Sequence, residues 1–161
     1  MLKLGTYQPK ERIATDHFVI RKLEARDAKI DYEAVMSSIE TIKKQRGGTW
    51  PTEDLTFEDD VIDLGWHQRE FESGGSFAYA VTNIEDTEEL GCVYFYPPGH
   101  PMNSTGANYP EGTDVCVNLW VTQKAFDNGL YDKLYVFVEG WLRQWPFEKP
   151  LITNPLKPQA S

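Results

Sequence analysis

The sequence predicts one α/β domain with a mixed, mostly antiparallel central sheet flanked by helices. Three observations lead there. Asp114–Leu142 (DVCVNLWVTQKAFDNGLYDKLYVFVEGWL) reads as an apolar strand, a short loop with one glycine, and an amphipathic helix. Phe77–Thr82 and Leu90–Tyr96 are apolar, aromatic-rich runs joined by the polar turn Asn83–Glu89, the pattern of an antiparallel hairpin. Ala28, Tyr32, Val35, Ile39 and Ile42 recur at helical spacing and form one face of a helix. A length of 161 residues fits a single domain spanning 1–161, large enough to bury a core without staples.

Taken in order, residues 1–16 are polar and read as an irregular segment. His17–Leu23 (HFVIRKL) is β-branched and aromatic, hence a strand. The first helix follows, with Asp27 as its cap and Arg46-Gly47-Gly48 as its end, because glycine tolerates the left-handed conformation there. A loop containing Trp50-Pro51 leads to a second helix from Thr56, where Glu58, Asp59 and Asp60 suit the helix dipole, and Ser73-Gly74-Gly75 breaks it after Phe71. After the hairpin, Pro97–Gly112 is a long Pro/Gly/Asn loop of the kind that carries function or moves. The strand Asp114–Val121 and a helix from Asn128 to Gln144 come next, then a short strand Leu151–Thr153 and a flexible tail, 154–161.

Composition narrows the partners. A formal charge of −9 argues against nucleic acid or an anionic membrane, both of which demand a basic face. Cys92 and Cys116 alone make neither a disulfide framework nor a four-ligand metal site, so no metal is expected. No segment is long enough to span a bilayer and the N-terminus lacks a signal-peptide core, which makes the cytoplasm the default compartment.

The order strand–helix–helix–strand–strand–strand–helix–strand across roughly residues 17–153 resembles the GNAT superfamily of acyl-CoA-dependent N-acetyltransferases. The Trp50-Pro51 loop is similar to that of one branch. The resemblance implies a GNAT-like sheet, acetyl-CoA or another acyl-CoA as cosubstrate, and the amine of a small molecule or peptide as acceptor. It implies that Leu119, Trp120 and Val121 hold the thioester end of the cofactor, and that Asn128, Gly129 and Leu130 face its pyrophosphate. Departures from the family pattern are concentrated here. Of the loop signature only Gly129 matches: Phe126 and Tyr131 replace the expected Gln/Arg and small residue, and the Asp127 carboxylate opposes an anion unless it serves as a helix cap. Val115 and Val117 stand where acid–base residues often lie, and valine moves no proton. The helix that follows the family's last matched strand is not found.

Other residues carry candidate chemistry. Alternation places Cys92, Tyr94 and Tyr96 on one face of their strand, and Cys116, Asn118 and Trp120 on one face of the next. If those faces coincide, they line a pocket or a mixed core. His67, beside Trp66 and Glu70, is a candidate base; Tyr94, Tyr96 and Asn118 are the other catalytic candidates. Trp141, Trp145, Pro146 and Phe147 form an apolar cluster that favours a homodimer if left uncovered. Two readings stand: an N-acetyltransferase with an atypical loop, or a catalytically degenerate ligand-binding or protein-interaction module.

Overall fold

The computed structural model describes residues 1–159. Six strands form one sheet in sequential order: β1 (Arg12–Ala14), β2 (Val19–Lys22), β3 (Phe77–Thr82), β4 (Glu89–Tyr96), β5 (Val115–Val121) and β6 (Pro150–Ile152). All neighbours pair antiparallel except β5 and β6, which run parallel. The five helices are α1 (Ala28–Met36), α2 (Ile39–Arg46), α3 (Phe57–Ser73), α4 (Gln123–Asp127) and α5 (Leu130–Leu142). No helix among the described residues is long and apolar enough to cross a membrane.

Both faces of the sheet are covered, which is why β3 and β5 are buried along their whole length. On one face Tyr79, Phe95, Val117 and Leu119 pack against Leu134, Val138, Trp141 and Trp145. On the other, Ala80, Cys92, Tyr94 and Trp120 meet Val35, Ile42 and Leu64 from α1, α2 and α3. Trp141 and Trp145 are therefore core residues, not the uncovered aromatic surface that suggested a dimer. Tyr7 seals them, with its ring centroid 5.0 Å from that of Trp145.

The polar N-terminal segment contributes an edge strand, since Arg12–Ala14 pairs with Val19–Arg21. The first helix is two. Ser37 Oγ donates to the Ala34 carbonyl, Ser38 leaves helical geometry at φ −141°, and the chain restarts as α2. Asp27 does not cap α1 with its side chain; its carboxylate accepts from the Glu24 amide and from Arg21. Thr56 caps α3 as expected, in a reciprocal capping box with Asp59. Asp127 ends the short helix α4, which the sequence did not announce, and its carboxylate accepts from Gln123 Nε2.

Gly91 is set by close approach. A Cβ built there lies 2.0 Å from the Trp120 carbonyl oxygen across the β4–β5 pair. Gly91→Ala is expected to destabilise the fold by about 2–3 kcal/mol through overpacking, read as a fall in the urea midpoint. An unchanged midpoint would show that the strand pair yields at little cost.

Candidate functional site

Two regions of β5 define the site, and they lie on different sides of the strand. The first is the edge facing β6. β6 covers only Val115–Val117, and Thr153 then donates its amide to the Val117 carbonyl at 2.8 Å. Beyond that point two side-chain carboxamides continue the sheet in place of a strand. Asn154 accepts from the Leu119 amide at 3.0 Å and donates to the Leu119 carbonyl at 2.8 Å. Gln45 accepts from the Val121 amide at 2.8 Å and donates to the Val121 carbonyl at 2.9 Å. Both side chains are 0% exposed. Asn154 also donates to the Gln45 carbonyl and to Tyr131 Oη, and Tyr131 donates to the Leu156 carbonyl at 2.7 Å. Residues 153–157 are thereby hydrogen-bonded along this edge; of these, 154–157 belong to the stretch 154–161 expected to be a flexible tail, of which 160–161 lie outside the described residues.

In the glycine loop the amides up to Gly129 are used within the chain, while the space beside Gly129 is open. α4 fills the space after β5, with Thr122 accepting from the Ala125 amide at its start. The Phe126, Asn128 and Gly129 amides donate to the Thr122, Lys124 and Phe126 carbonyls. Gly129, at φ 81°, turns the chain into α5, whose first residue Leu130 packs into the core. Of the residues expected to hold a cofactor, Leu119 and Val121 have their backbone groups satisfied internally and Asn128 caps α4. Trp120 pairs with Cys92 of β4, and its ring lies in the α1–α3 layer.

The second region is that layer. The register aligns Cys92 with Trp120, Tyr94 with Asn118 and Tyr96 with Cys116, so the two candidate faces do coincide. Of these residues Tyr94 and Tyr96 form the floor of a cavity of about 190 Å³, walled by α1, α2, α3 and the loop after β4. His67, Tyr94 and Tyr96 line it, and Asn118 sits beneath, holding Arg46. All four catalytic candidates thus gather around one arginine.

Arg46 is 3% exposed. Its Nε donates to Asn118 Oδ1 at 3.0 Å, and its guanidinium lies 5.1 Å from the Trp50 ring and 5.6 Å from the Tyr94 ring. Among the described residues no carboxylate pairs with it. The contrast with the other buried arginine is direct: Arg21 is held bidentately by Asp27 at 2.9 and 2.8 Å and also by Asp86. His67 stacks on Tyr94 with centroids 5.4 Å apart, and its Nδ1 has no partner. Burial and the Arg46 charge push the imidazole down to about 4, so it is neutral near pH 7. Tyr94 accepts from Trp120 Nε1 at 3.0 Å, and burial raises its hydroxyl well above the ordinary value, leaving it protonated.

Beside the arginine lies a buried acidic group. Burial and the nearby Glu89 raise Asp31 well above the ordinary value; burial and Asp31 push Asp60 up to about 9; burial pushes Glu89 up to about 8. Asp31 shares hydrogen bonds with Glu89 and with Asp60, the protonated carboxyl of each pair donating, while Asp60 Oδ2 is left without a partner. Ligand atoms of Asp31, Glu89 and Cys92 lie within 4.8 Å of one another, so these residues could hold a metal ion if deprotonated.

Solved structures of similar fold place the architecture. The ribosomal-protein-S5-alanine acetyltransferase from Vibrio fischeri superposes with a TM-score of 0.60 at 11% identity, over 84% of this chain and 69% of that one. The ribosomal L7/L12 α-N-protein acetyltransferase RimL in complex with coenzyme A gives 0.60 at 13% identity, over 83% of this chain and 69% of that one. This chain adopts the GNAT fold. The microcin C7 self-immunity acetyltransferase MccE, in complex with acetyl-CoA and AMP, shares the GNAT fold at a TM-score of 0.56 and 11% identity, over 81% of this chain and 65% of that one. No protein-family model and no curated protein sequence matches the chain.

Within this GNAT-fold chain, the residues that sequence reasoning passed over are the ones that decide the site. Arg46 was read only as part of a helix end; Gln45, Asn154 and Glu89 carried no local signal. Asp31 did carry one, because a carboxylate three residues after Ala28 and four before Val35 falls on the apolar stripe of its helix.

Proposed function

We propose that the protein is an N-acyltransferase of the GNAT fold that holds a small amine-bearing acceptor in the Arg46 cavity, with its acyl-CoA groove shut in the conformation described. The observation carrying this reading is the gathering of His67 from α3, Tyr94 and Tyr96 from β4 and Asn118 from β5 around one cavity, next to the β5 edge at Leu119–Val121. What supports acyl-CoA as donor is that the similar solved structures are acetyltransferases, two of them holding coenzyme A or acetyl-CoA. In this reading the thioester carbonyl docks on the backbone beyond Leu119 once Asn154 withdraws. The amine attacks directly, and positioning supplies most of the rate. Neutral His67 and the Tyr94 hydroxyl are the proton-handling groups within the cavity.

A second reading is favoured by one observation: Asn154 and Gln45 satisfy every backbone group at Leu119 and Val121. A chain that keeps this seal binds its ligand without transferring an acyl group to it. Calorimetric titration with acetyl-CoA separates the two. The acyltransferase reading expects weak binding by the wild type and binding about tenfold tighter by Asn154→Ala, tested below its melting temperature, with thiol release in the presence of small amines. No binding by either protein at millimolar acetyl-CoA would leave the binding-only reading.

A further inference from the structure

We propose that the Arg46 cavity takes a small zwitterion, a molecule carrying one carboxylate and one ammonium in the manner of an α-amino acid. This names the acceptor class of the site described above and rests on that reading of the cavity, but it needs no acyl-CoA. The cavity holds two kinds of unsatisfied group. At the end of α2, Arg46 is almost fully buried, with a single hydrogen bond through Nε and no ion pair among the described residues. From α1 and α3 come Asp31, Asp60 and Asp63, and the buried Oδ2 of Asp60 has no partner.

Burying an unpaired charge is costly, and so is burying a polar atom that bonds to nothing. Here the two orphaned groups line the same space without neutralising each other. A ligand carboxylate matches the planar fork of the guanidinium, which its stacking between Trp50 and Tyr94 already holds in place. A ligand ammonium donates to Asp60 and Asp31, and its charge favours their ionised form. One zwitterion therefore satisfies both groups at once. A plain carboxylate leaves Asp60 unmatched, and a plain amine leaves Arg46 unmatched.

Size and walls agree. About 190 Å³ is smaller than a drug-sized site, and Trp50, Leu64 and Met102 offer an apolar lining for a short side chain.

The test uses the full chain with no acyl-CoA present. A thermal-shift screen with the protein-forming amino acids at millimolar concentration comes first. Calorimetry then compares the best hit with its des-amino acid and its decarboxylated amine; for L-leucine these are 4-methylpentanoate and 3-methylbutylamine. The amino acid is expected to bind at least about tenfold tighter than either fragment. Arg46→Gln should bring the amino acid down to the level of the amine, and Asp60→Asn down to the level of the carboxylate, with folding checked by circular dichroism. No stabilisation by any amino acid would overturn the proposal, as would a fragment binding as tightly as the whole; both comparisons need only the wild type. Absence of acetyl transfer bears on the acyltransferase reading alone and leaves this one standing.

Discussion

Asn154→Ala is expected to lower the unfolding free energy by about 3 kcal/mol, a large change for one residue outside any helix or strand. The wild-type carboxamide is fully buried and bonds to both backbone groups of Leu119. Alanine leaves that amide and carbonyl without partners on an edge that β6 does not reach. Each orphaned buried group costs about 1–3 kcal/mol. For a chain of this length that corresponds to a fall in Tm of roughly 6–12 °C. Urea unfolding of the two proteins measures it directly. A loss below about 1 kcal/mol would mean that residues 153–157 rest on the edge without sealing it, and the groove would then count as open.

Glu89→Gln is expected to do the opposite at alkaline pH and stabilise the protein. Burial pushes the Glu89 carboxyl in the folded state up to about 8, from an ordinary value of 4.5. Between those values the folded chain keeps a proton that the unfolded chain has released. The contribution of this group to stability is therefore complete below pH 4.5 and is lost as pH rises through 8. The slope is at most about 1.4 kcal/mol per pH unit for one group, and Asp60, pushed up to about 9, acts in the same direction. Glutamine keeps the shape and cannot ionise. Unfolding free energies measured from pH 5 to 9 should fall steeply for the wild type and less steeply for Glu89→Gln, with the curves crossing in favour of the variant near pH 8. A wild-type curve that is flat or rising over that range would show that the acidic group is solvated and ionised.

The pattern of apolar residues made most of the fold legible. Phe77–Thr82 emerges with the same bounds in sequence and structure because a short apolar, aromatic-rich run is closed off by Gly74-Gly75 on one side and a polar turn on the other. The α3 cap was readable because Thr56 and Asp59 satisfy each other within one turn. The single helix drawn through Ser37-Ser38 failed for the complementary reason: its apolar spacing continues across the break, and a contact with the start of α4, where the Gln123 amide donates to Ser38 Oγ, helps fix where the chain turns.

The candidate site divides along the same line. His67, Tyr94, Tyr96 and Asn118 could be named from residue type and strand alternation, which are local properties. That they surround one arginine was not readable, because Arg46 and Asn118 are 72 residues apart in sequence. Asn154 meets Leu119 from 35 residues away, and Gln45 meets Val121 from 76.

By itself the sequence determined the main strands and helices, their order and the antiparallel hairpin, since each rests on residue patterning or on residues within a few positions of one another. Only the tertiary structure decided that the open edge of β5 is closed by two carboxamides, and that a buried cation stands unpaired beside buried acids. Both depend on which distant backbone and side-chain groups share a space from which water is excluded, and there an unmatched charge or hydrogen bond carries its full cost.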